Sequence, residues 1–430
     1  MNRWLIHGAS QLLTLKGASD RPKRGKQMSE LGIIEQGSLA IENERIFAVG
    51  SREEMEREVR LRWGGLDGVR VLNAAGKVVM PGLIDPHTHL VFAGTREYEL
   101  EMRLNGRTYL EILQAGGGIL ATTAMTRSAT EEELTEQTLK RLDRFLLHGV
   151  TTVEAKSGYG LTLQDELKQL RVARRVHEEH PVDVVSTFMG AHAIPEEYKH
   201  DPEEYVRLVI GEMIPRVAGE GLAEFCDVFC EKGVFSLEQT ERILTEAKRW
   251  GLVPKLHADE LEPMGGAELA ARIGAISADH LLKVSDRGIR AMAEAGVVAV
   301  LLPGTAFFLM APCARARDML EAGVPVALST DFNPGSSPTV SLPVIMNLAC
   351  LNMKMTPAEV IAAATINSAH AIGKAGEIGS LEPGKQADIL ILDAPNYAHL
   401  SYHYGVNLTD SVFKKGELVV QGGRRCDLPI

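Results

Sequence analysis

Two histidines at the end of an apolar run are the first residues of this sequence that could bind a metal ion. Residues 78–89 are Val-Val-Met-Pro-Gly-Leu-Ile-Asp-Pro-His-Thr-His, so one residue separates His87 from His89. Side chains alternate between the two faces of a strand, and this spacing places both imidazoles on one side. Catalytic zinc sites use about three protein ligands and leave one position open. The pair predicts part of such a site, although an exposed pair on a turn has the same pattern.

Histidines also lie at the ends of later apolar runs. His192 follows the third run, His257 lies at the end of the fifth, and His280 lies at the end of the sixth. With the first pair, five of the 13 histidines have this position, which is more than a chance arrangement would give. The eighth run ends in a carboxylate, Asp331.

Four of these side chains predict a set of metal ligands: His87, His89, His257 and Asp331. Three imidazoles and a carboxylate suit zinc or iron better than magnesium or calcium, which prefer oxygen ligands. A metal in this set would lower the pKa of water toward neutrality, and Asp331 could accept the proton of that water. The alternative for Asp331 is the N-cap of a helix, where aspartate is common.

Two side chains near the same ends are candidates for proton transfer. Glu260 lies three residues after His257, beyond the predicted strand, where a carboxyl group can pass a proton to a leaving nitrogen. His280 could hydrogen-bond the reacting water or a developing oxyanion. The alternatives are a solvated loop glutamate and a buried histidine whose hydrogen bonds are satisfied.

The elements that must position these side chains alternate regularly from about residue 78. Eight apolar runs are separated by amphipathic helical stretches such as residues 131–147 and 286–295. The runs are residues 78–90, 150–155, 182–189, 226–231, 253–258, 275–280, 297–302 and 324–331. Strands that alternate with helices predict a parallel sheet, and eight units have the size of a closed barrel. An open doubly wound sheet would need a glycine-rich turn after an early strand, but the glycines at 116–118 follow a helical segment.

Both ends of the chain have a different pattern from its centre. Residues 1–77 contain short strands and turns, with a hairpin over residues 38–50, and residues 376–430 return to turns and strands. We therefore predict a (β/α)8 TIM-type barrel over residues 78–375, with a small β-sandwich domain formed by both chain termini.

Composition argues against several classes of partner. The 430-residue chain has a net charge of −11, which disfavours binding to nucleic acid or to an anionic membrane surface. No stretch approaches the roughly 18 apolar residues of a membrane span, and the first residues lack the apolar core of a signal peptide. Five cysteines without a C-x-x-C pair indicate neither a disulfide framework nor a zinc knuckle. We expect a soluble, cytoplasmic protein.

The order of the motifs resembles the amidohydrolase superfamily. The residues that carry the resemblance are Pro-Gly-Leu-Ile-Asp-Pro-His-Thr-His at 81–89, His257 with Glu260, His280, and Ser-Thr-Asp at 329–331. Loop motifs extend the similarity, over nearly the whole chain, to the imidazolonepropionase family: His-Leu-Val-Phe-Ala-Gly-Thr-Arg-Glu-Tyr-Glu at 89–99, Glu-Ala-Lys-Ser-Gly-Tyr-Gly at 154–160, Met-Gly-Ala-His at 189–192 and Asp-Phe-Asn-Pro-Gly-Ser at 331–336. That family opens the ring of 4-imidazolone-5-propanoate with water, giving N-formimidoyl-L-glutamate in L-histidine degradation.

The resemblance implies a role for each matching residue. The four predicted ligands would hold one ion per subunit, Zn²⁺ or Fe²⁺/Fe³⁺, and Asp331, Glu260 and His280 would be catalytic. The residues implied to contact the substrate are Arg96, Tyr159, His192, Glu260, Asn333, Gly335 and Ser336. A guanidinium suits a substrate that carries a carboxylate because it binds bidentately. An ion pair with Glu97 or Glu99 is the alternative for Arg96, and simple packing is the alternative for Tyr159. A homodimer is also expected from the family.

Three other interpretations stay open on the sequence. A deaminase of the same superfamily would use Glu260 and a metal on a nucleobase ring, but it would have no carboxylate for Arg96 to bind. A non-catalytic barrel would have lost metal ligands, and here all four are present. A two-metal site would need a modified lysine after the fourth strand, where Lys232 lies, whereas His257 with Glu260 resembles the one-metal branch.

Overall fold

The computed structural model describes residues 2–107, 111–112 and 115–426, and its strands form two sheets. In chain order the strands are β1 (Arg3–Leu13), β2 (Ile33–Glu42), β3 (Arg45–Gly50), β4 (Arg70–Asn73), β5 (Val78–Pro81), β6 (Leu83–Asp85), β7 (Val150–Lys156), β8 (Asp183–Ala191), β9 (Phe225–Cys230), β10 (Val253–Ala258), β11 (Ser277–His280), β12 (Val298–Leu301), β13 (Val326–Leu328), β14 (Ile389–Leu392), β15 (Thr409–Lys414), β16 (Glu417–Gln421) and β17 (Arg424–Arg425).

Helices connect most of the central strands. The α-helices are Arg52–Trp63, Glu97–Leu104, Ile119–Ser128, Glu131–Leu147, Leu163–Glu179, Pro202–Leu208, Ile214–Gly219, Leu237–Arg249, Gly266–Ile273, Asp286–Ala295, Pro303–Phe308, Ala316–Glu321, Leu342–Met353, Pro357–Ala363, Ile366–Ala371 and Ala398–Tyr402. Short 3-10 turns cover Gly25–Ser29 and Glu196–Tyr198, and a π-helical turn covers Val209–Met213. Among the helices described, none has the length and apolar character needed to cross a membrane.

The strands β6 to β13 form the predicted (β/α)8 barrel. Neighbours along the chain pair in parallel, and a further parallel bridge between Thr88 and Phe332 links the first strand to the eighth. Barrel strands have helices outside and packed side chains inside, so both faces are buried; every residue of β7, for example, is buried. The carboxyl ends of all eight strands lie at one end of the barrel, which is where barrel enzymes have their sites.

The helices begin where the sequence provides caps. Thr130 accepts a hydrogen bond from the Glu133 N–H at the start of Glu131–Leu147, and Ser236 does the same for Gln239 at the start of Leu237–Arg249. The first of these helices buries Leu134, Leu142 and Phe145 on one face. Its bounds are those that the periodicity predicts.

The two ends of the chain form one mixed sheet of nine strands beside the barrel. Strands from the N-terminal part and from the C-terminal part meet where β5 pairs in parallel with β1 and antiparallel with β14. The fold class predicted from the sequence is confirmed. The domain limits at 77/78 and 375/376 stay a prediction, and residues 1, 108–110, 113–114 and 427–430 of the predicted segments lie outside the described residues.

The first predicted barrel strand, residues 78–90, is wrong in one respect, because it consists of two strands in different sheets. β5 belongs to the terminal sheet and β6 to the barrel. The chain crosses between the sheets at Gly82, whose N–H donates to the Asp388 carbonyl. A Cβ at this position would overlap the Thr151 side chain, so the crossing requires glycine.

Candidate active site and metal centre

Five buried side chains converge at the carboxyl end of the barrel: His87, His89, His257, His280 and Asp331. The Asp331 Oδ1 atom is 3.4 Å from His87 Nε2 and 3.7 Å from His89 Nε2. The ring centroids of His87 and His257 are 4.5 Å apart, and those of His257 and His280 are 5.0 Å apart. The structure therefore brings the four predicted ligands together, with His280 beside them.

Carboxylates behind two of the imidazoles determine which nitrogen is free. The His87 Nδ1–H donates to Asp279 at 2.6 Å, and the His257 Nδ1–H donates to Asp227 at 3.0 Å. An ionised carboxylate only accepts hydrogen bonds, so each Nδ1 carries a proton and each Nε2 is left for another partner. Metal-binding histidines are commonly held in this way. Burial alone would lower the pKa of His257, but Asp227 outweighs burial and raises this pKa, so a bound cation would have to replace a proton on its Nε2.

The free nitrogens test whether this donor set fits a metal ion. Both Nε2 atoms, on His87 and His257, are buried and have no hydrogen-bond partner among the described residues. A buried polar atom without a partner costs about 1–3 kcal/mol, and a cation between the rings would remove that cost. Three imidazoles and one carboxylate are also the donor types that zinc and iron accept. The residues present fit a metal ion.

Asp331 is held so that one carboxylate oxygen faces the imidazoles. Its Oδ2 accepts from the Thr305 hydroxyl at 2.6 Å, and its backbone has the left-handed φ of 52°. Such a conformation is unfavourable for a residue other than glycine and is found at functional sites. The helix-cap alternative is wrong, because the next helix, Leu342–Met353, is capped by Ser341.

Sequence reasoning missed Asp85, which joins the first barrel strand to the loop that carries Asp331. The Thr330 N–H and hydroxyl donate to the Asp85 carboxylate at 3.2 Å and 2.6 Å, and the Ser329 hydroxyl donates to it as well. Burial raises the pKa of Asp85 to about 6. A carboxylate at the end of an apolar run was the available signal.

Burial sets the protonation states around the site. It raises the pKa of Asp331 to about 7, and burial together with the Asp331 charge raises the pKa of Glu260 to about 8. Glu260 Oε1 is 3.5 Å from His280 Nδ1. Burial also lowers the pKa of His87, so this imidazole is neutral, as metal binding requires. A bound cation would lower both carboxyl pKa values, since positive charge favours the ionised form.

One wall of the site consists of His192 and Tyr159. The His192 ring stacks on His89 with centroids 4.7 Å apart and an interplanar angle of 11°, and its Nδ1–H donates to the Gly158 carbonyl. The Tyr159 ring is 5.3 Å from His192. The loop of Tyr159 is held by Glu166, whose carboxylate accepts from three backbone N–H groups, those of Gly158, Gly160 and Leu161. The structure therefore brings both predicted substrate contacts next to the predicted metal ligands.

Arg96 lies at another side of the site and forms a bidentate ion pair with Glu99. The Nε and Nη2 groups donate to the two Glu99 oxygens at 2.7 Å and 2.8 Å. The pair predicted as an alternative is therefore present, but it is not a surface pair, since the Arg96 side chain is only 10% exposed. The guanidinium lies against Gly335, where a Cβ would overlap it. Two of five N–H donors are used, so the group can still bind a carboxylate.

The loop after Asp331 uses its own polar side chains to keep its shape. The Asn333 Oδ1 accepts from the N–H groups of Gly335 and Ser336, both at 2.8 Å, and its Nδ2 donates to the Asp331 carbonyl and the Ser336 hydroxyl. The structure therefore brings these three predicted contacts together beside Arg96. Their direct contact with a substrate stays a prediction.

Comparisons with known proteins give the family. The model of the amidohydrolase family matches residues 78–419. Imidazolonepropionase of Geobacillus kaustophilus (strain HTA426) is 62% identical over 424 residues, covering 99% of each chain. Imidazolonepropionase of Shouchella clausii (strain KSM-K16) is 63% identical over 415 residues, covering 96% of this chain and 92% of the relative. The chain belongs to the imidazolonepropionase family. The resemblance found in the sequence is confirmed, and the amidohydrolases that include this family are metal-dependent hydrolases.

Solved structures agree with the fold of this imidazolonepropionase family member. Guanine deaminase of E. coli covers 98% of this chain and 99% of its own, with a TM-score of 0.72 and 15% identity. An adenosine deaminase from Xanthomonas campestris with bound zinc covers 99% of this chain and 94% of its own, with a TM-score of 0.70 and 19% identity. At such identities the likeness concerns the fold alone.

Beneath the imidazoles lies a group of charged side chains to which the sequence assigned no role. We call it the buried ionic cluster; it consists of Glu154, Lys156, Asp227, Lys255 and Asp279, all with no more than 1% exposure. The available signal was a charged residue inside a strand that is otherwise apolar. Lys232, which a two-metal site would need, is instead exposed.

Proposed function

We infer that this chain is an imidazolonepropionase, which hydrolyses the cyclic amide of 4-imidazolone-5-propanoate to N-formimidoyl-L-glutamate in L-histidine degradation. One observation carries the inference: the identity of 62–63% to two imidazolonepropionases over nearly the full chain. The site supports it, since it has a set of metal donors and a guanidinium that suits the propionate of this substrate.

We propose that His87, His89, His257 and Asp331 hold one ion per subunit, Zn²⁺ or Fe²⁺/Fe³⁺. The unpartnered Nε2 atoms of His87 and His257 support this set, and the exposed position of Lys232 argues against a second ion. Such an ion lowers the pKa of water and polarises a carbonyl group, which allows amide hydrolysis near neutral pH.

We propose that three side chains move or hold protons in the reaction. Asp331 accepts a proton from the attacking water, His280 donates a hydrogen bond to the oxygen of the attacked carbon, and Glu260 gives a proton to the leaving ring nitrogen. Burial raises the pKa of Glu260 and so favours the protonated carboxyl that a proton donor needs, although a bound cation would reduce this rise. The 3.5 Å between Glu260 and His280 keeps both near one reacting group.

The proposed substrate contacts surround these groups. Arg96 binds the propionate, and Tyr159 and His192 contact the substrate from the wall beside His89. Glu260 contacts the hydrolysed amide, and Asn333, Gly335 and Ser336 line the ring side. The nearness of Arg96 to Gly335 supports this arrangement, since it places the cation beside that loop. A nucleobase has no carboxylate, so a deaminase would have no use for this guanidinium.

The assembly and location of the enzyme are also proposals. We propose that it is a homodimer, as the resemblance to the family implies, and that it is cytoplasmic, which its cysteine usage supports. Sedimentation analysis of the purified protein tests the dimer, and fractionation of the source cells tests the location. A monomer at all concentrations would contradict the first part without affecting the activity.

An assay with freshly prepared 4-imidazolone-5-propanoate tests the proposed activity. The loss of its ultraviolet absorbance should follow added enzyme and stop when the metal is removed by a chelator. Arg96→Lys keeps the charge but loses the bidentate geometry, so KM should rise about 10-fold, and Arg96→Ala should raise it about 100-fold. No turnover by the metal-loaded wild type, or deamination of a nucleobase instead, would contradict the proposal.

A further inference from the structure

The Lys156 ammonium lies at the centre of the buried ionic cluster. Its Nζ is 2.7 Å from Asp227 Oδ2, 3.4 Å from Asp279 Oδ2 and 3.0 Å from Glu154 Oε1. The side chains of all four residues have no exposed surface. A charge this deep persists only with close partners of opposite sign.

The two aspartates that Lys156 binds are the ones that hold metal-ligand histidines. Asp227 Oδ1 accepts from both the Nδ1–H and the backbone N–H of His257, at 3.0 Å and 3.1 Å. Asp279 Oδ2 accepts from the His87 Nδ1–H, and its Oδ1 accepts from the Ser277 hydroxyl at 2.7 Å. An unbroken series of contacts therefore runs from His87 through one ammonium to His257, on strands that are not neighbours in the sheet.

We propose that Lys156 is a positioning residue that couples the two histidine-holding carboxylates, so that the Nε2 atoms of His87 and His257 converge on one ion. The inference rests on the proposed metal set. It adds a residue that touches neither the ion nor the substrate and acts through Asp227 and Asp279.

Electrostatics alone would make Lys156 unfavourable for metal binding. A positive charge near a dication repels it, and the repulsion is strong where water is excluded. If Lys156 acted only as a charge, its removal would tighten metal binding. If it positions the carboxylates, its removal frees Asp227 Oδ2 from its ammonium and loosens both imidazoles. The sign of the change in affinity therefore separates the two roles.

Lys255 provides a matched control in the same cluster. It is equally buried and binds Glu154 at 2.9 Å, but its other hydrogen bonds go to the carbonyls of Pro86 and Ala371, and its Nζ lies over the Phe225 ring. It contacts neither of the histidine-holding aspartates within hydrogen-bond distance. Lys255→Met thus removes the same charge from the same environment without breaking the connection between His87 and His257.

Competition for Zn²⁺ with a chromophoric chelator, in the full-length protein, tests the proposal. Lys156→Met should weaken Zn²⁺ binding about 10-fold or more, in the range found for residues that orient ligands. It should also change the absorption spectrum of bound Co²⁺, which reports ligand geometry. Lys255→Met should keep Zn²⁺ affinity within about threefold of wild type, with an unchanged Co²⁺ spectrum. Wild-type or tighter Zn²⁺ binding by Lys156→Met would overturn the proposal.

A second variant covers the case in which Lys156→Met does not fold. Lys156→Met combined with Glu154→Gln removes one positive and one negative charge, so the net charge of the cluster is unchanged, yet Asp227 and Asp279 still lose their bridge. Weakened Zn²⁺ binding by this variant supports the proposal, and wild-type affinity contradicts it. The measurement needs no substrate, so a wild type that binds Zn²⁺ but shows no turnover contradicts the proposed function and not this inference.

Discussion

The strand β8 contacts two clusters of charged side chains: the buried ionic cluster, through the Thr187 hydroxyl, which donates to Glu154, and a second cluster that is only partly buried. The second cluster lies at the N-terminal end of β8, and we call it the lower cluster: Asp183, Gln386, Asp388, Lys414 and Lys415. Lys414 donates to Asp183 and to Asp388, both at 2.6 Å, and Lys415 donates to Asp183 at 2.7 Å. Asp183 begins β8, whereas Lys414 ends β15 of the terminal sheet. The lower cluster therefore joins the barrel to that sheet.

The clusters differ in what they leave unsatisfied. Within the described residues, the lower cluster has no buried side-chain nitrogen or oxygen without a partner. The buried ionic cluster is paired as well, but it ends in the free Nε2 atoms of His87 and His257. A complete set of partners stabilises the fold, whereas a free lone pair held in place by neighbours costs stability and is suited to bind something else. Substitutions in or next to the two clusters should therefore affect different properties of the protein.

The largest effect is expected for His257→Ala. Loss of one proposed metal ligand should lower kcat/KM at least about 1000-fold, about 4 kcal/mol of transition-state stabilisation. The lost Nε2 has no partner in the fold, but the Nδ1–H hydrogen bond to the buried Asp227 is lost as well, so the free energy of unfolding should fall by about 1–3 kcal/mol. Steady-state kinetics and denaturant unfolding measure these two quantities, and mass spectrometry measures the metal content, which should fall.

The control for this variant is His370→Ala. His370 is half-buried outside the site, and its Nε2 donates to the Ala18 carbonyl. It should keep kcat/KM near the wild-type value. A His257→Ala protein with normal metal content and activity would remove His257 from the ligand set and, with it, the distinction between the clusters.

Lys414→Met should have the opposite profile. It removes a buried ammonium group from Asp183 and Asp388, and breaking a buried ion pair costs about 3–5 kcal/mol of folding free energy. Unfolding in urea should show this loss, while kcat for the folded fraction stays unchanged. A fall in kcat at unaltered stability would show that the lower cluster also influences the reaction.

Acid should weaken the lower cluster through Asp183. Burial alone would raise the pKa of this carboxyl, but Lys414 and Lys415 outweigh burial and hold the pKa at about 2. An unfolded aspartate has a pKa of about 3.9. The lowered folded-state pKa contributes about 2.5 kcal/mol of folding stability at pH values above the pKa of the unfolded aspartate. This contribution is lost as the pH falls toward 2.

The measurement compares wild type with Asp183→Asn by denaturant unfolding at pH 6 and at pH 3. The asparagine does not titrate, so the difference in unfolding free energy between the two proteins should shrink by about 1 kcal/mol at pH 3. A difference that is constant over this range would mean that the ion pair contributes no pH-dependent stability.

Much of the fold can be predicted from the sequence, because each barrel unit repeats one local pattern. β10 and the helix Glu131–Leu147 have the bounds that apolar runs and periodicity indicate. The run at residues 78–90 is predicted as one strand because an apolar segment does not indicate which sheet it joins. Its division at Gly82 depends on Thr151 and Asp388, which are distant in the sequence.

The candidate site, too, can be predicted from the sequence only in part. Predicted metal ligands such as His257 and Asp331 can be found because they lie at the ends of apolar runs. Lys156 and Asp227 cannot be paired from the sequence, since they lie 71 residues apart and nothing in either strand indicates its partner. Only the closed barrel brings such residues together on its inner face.

Gly335→Ala should have the smallest effect. It tests the loop that lies against Arg96, away from the proposed metal ligands. The added Cβ would overlap the Arg96 guanidinium, which has to shift away from its present position against the loop. Because Arg96 is already held by Glu99 on its other side, a modest displacement is expected, with KM raised about 10-fold, or about 1.4 kcal/mol, and kcat nearly unchanged. Gly211→Ala is the control, since a Cβ there meets nothing within 4 Å. If Gly335→Ala lowers kcat and leaves KM unchanged, the loop acts on the reacting groups rather than on the propionate. Arg96 would then act together with the residues around the proposed metal site.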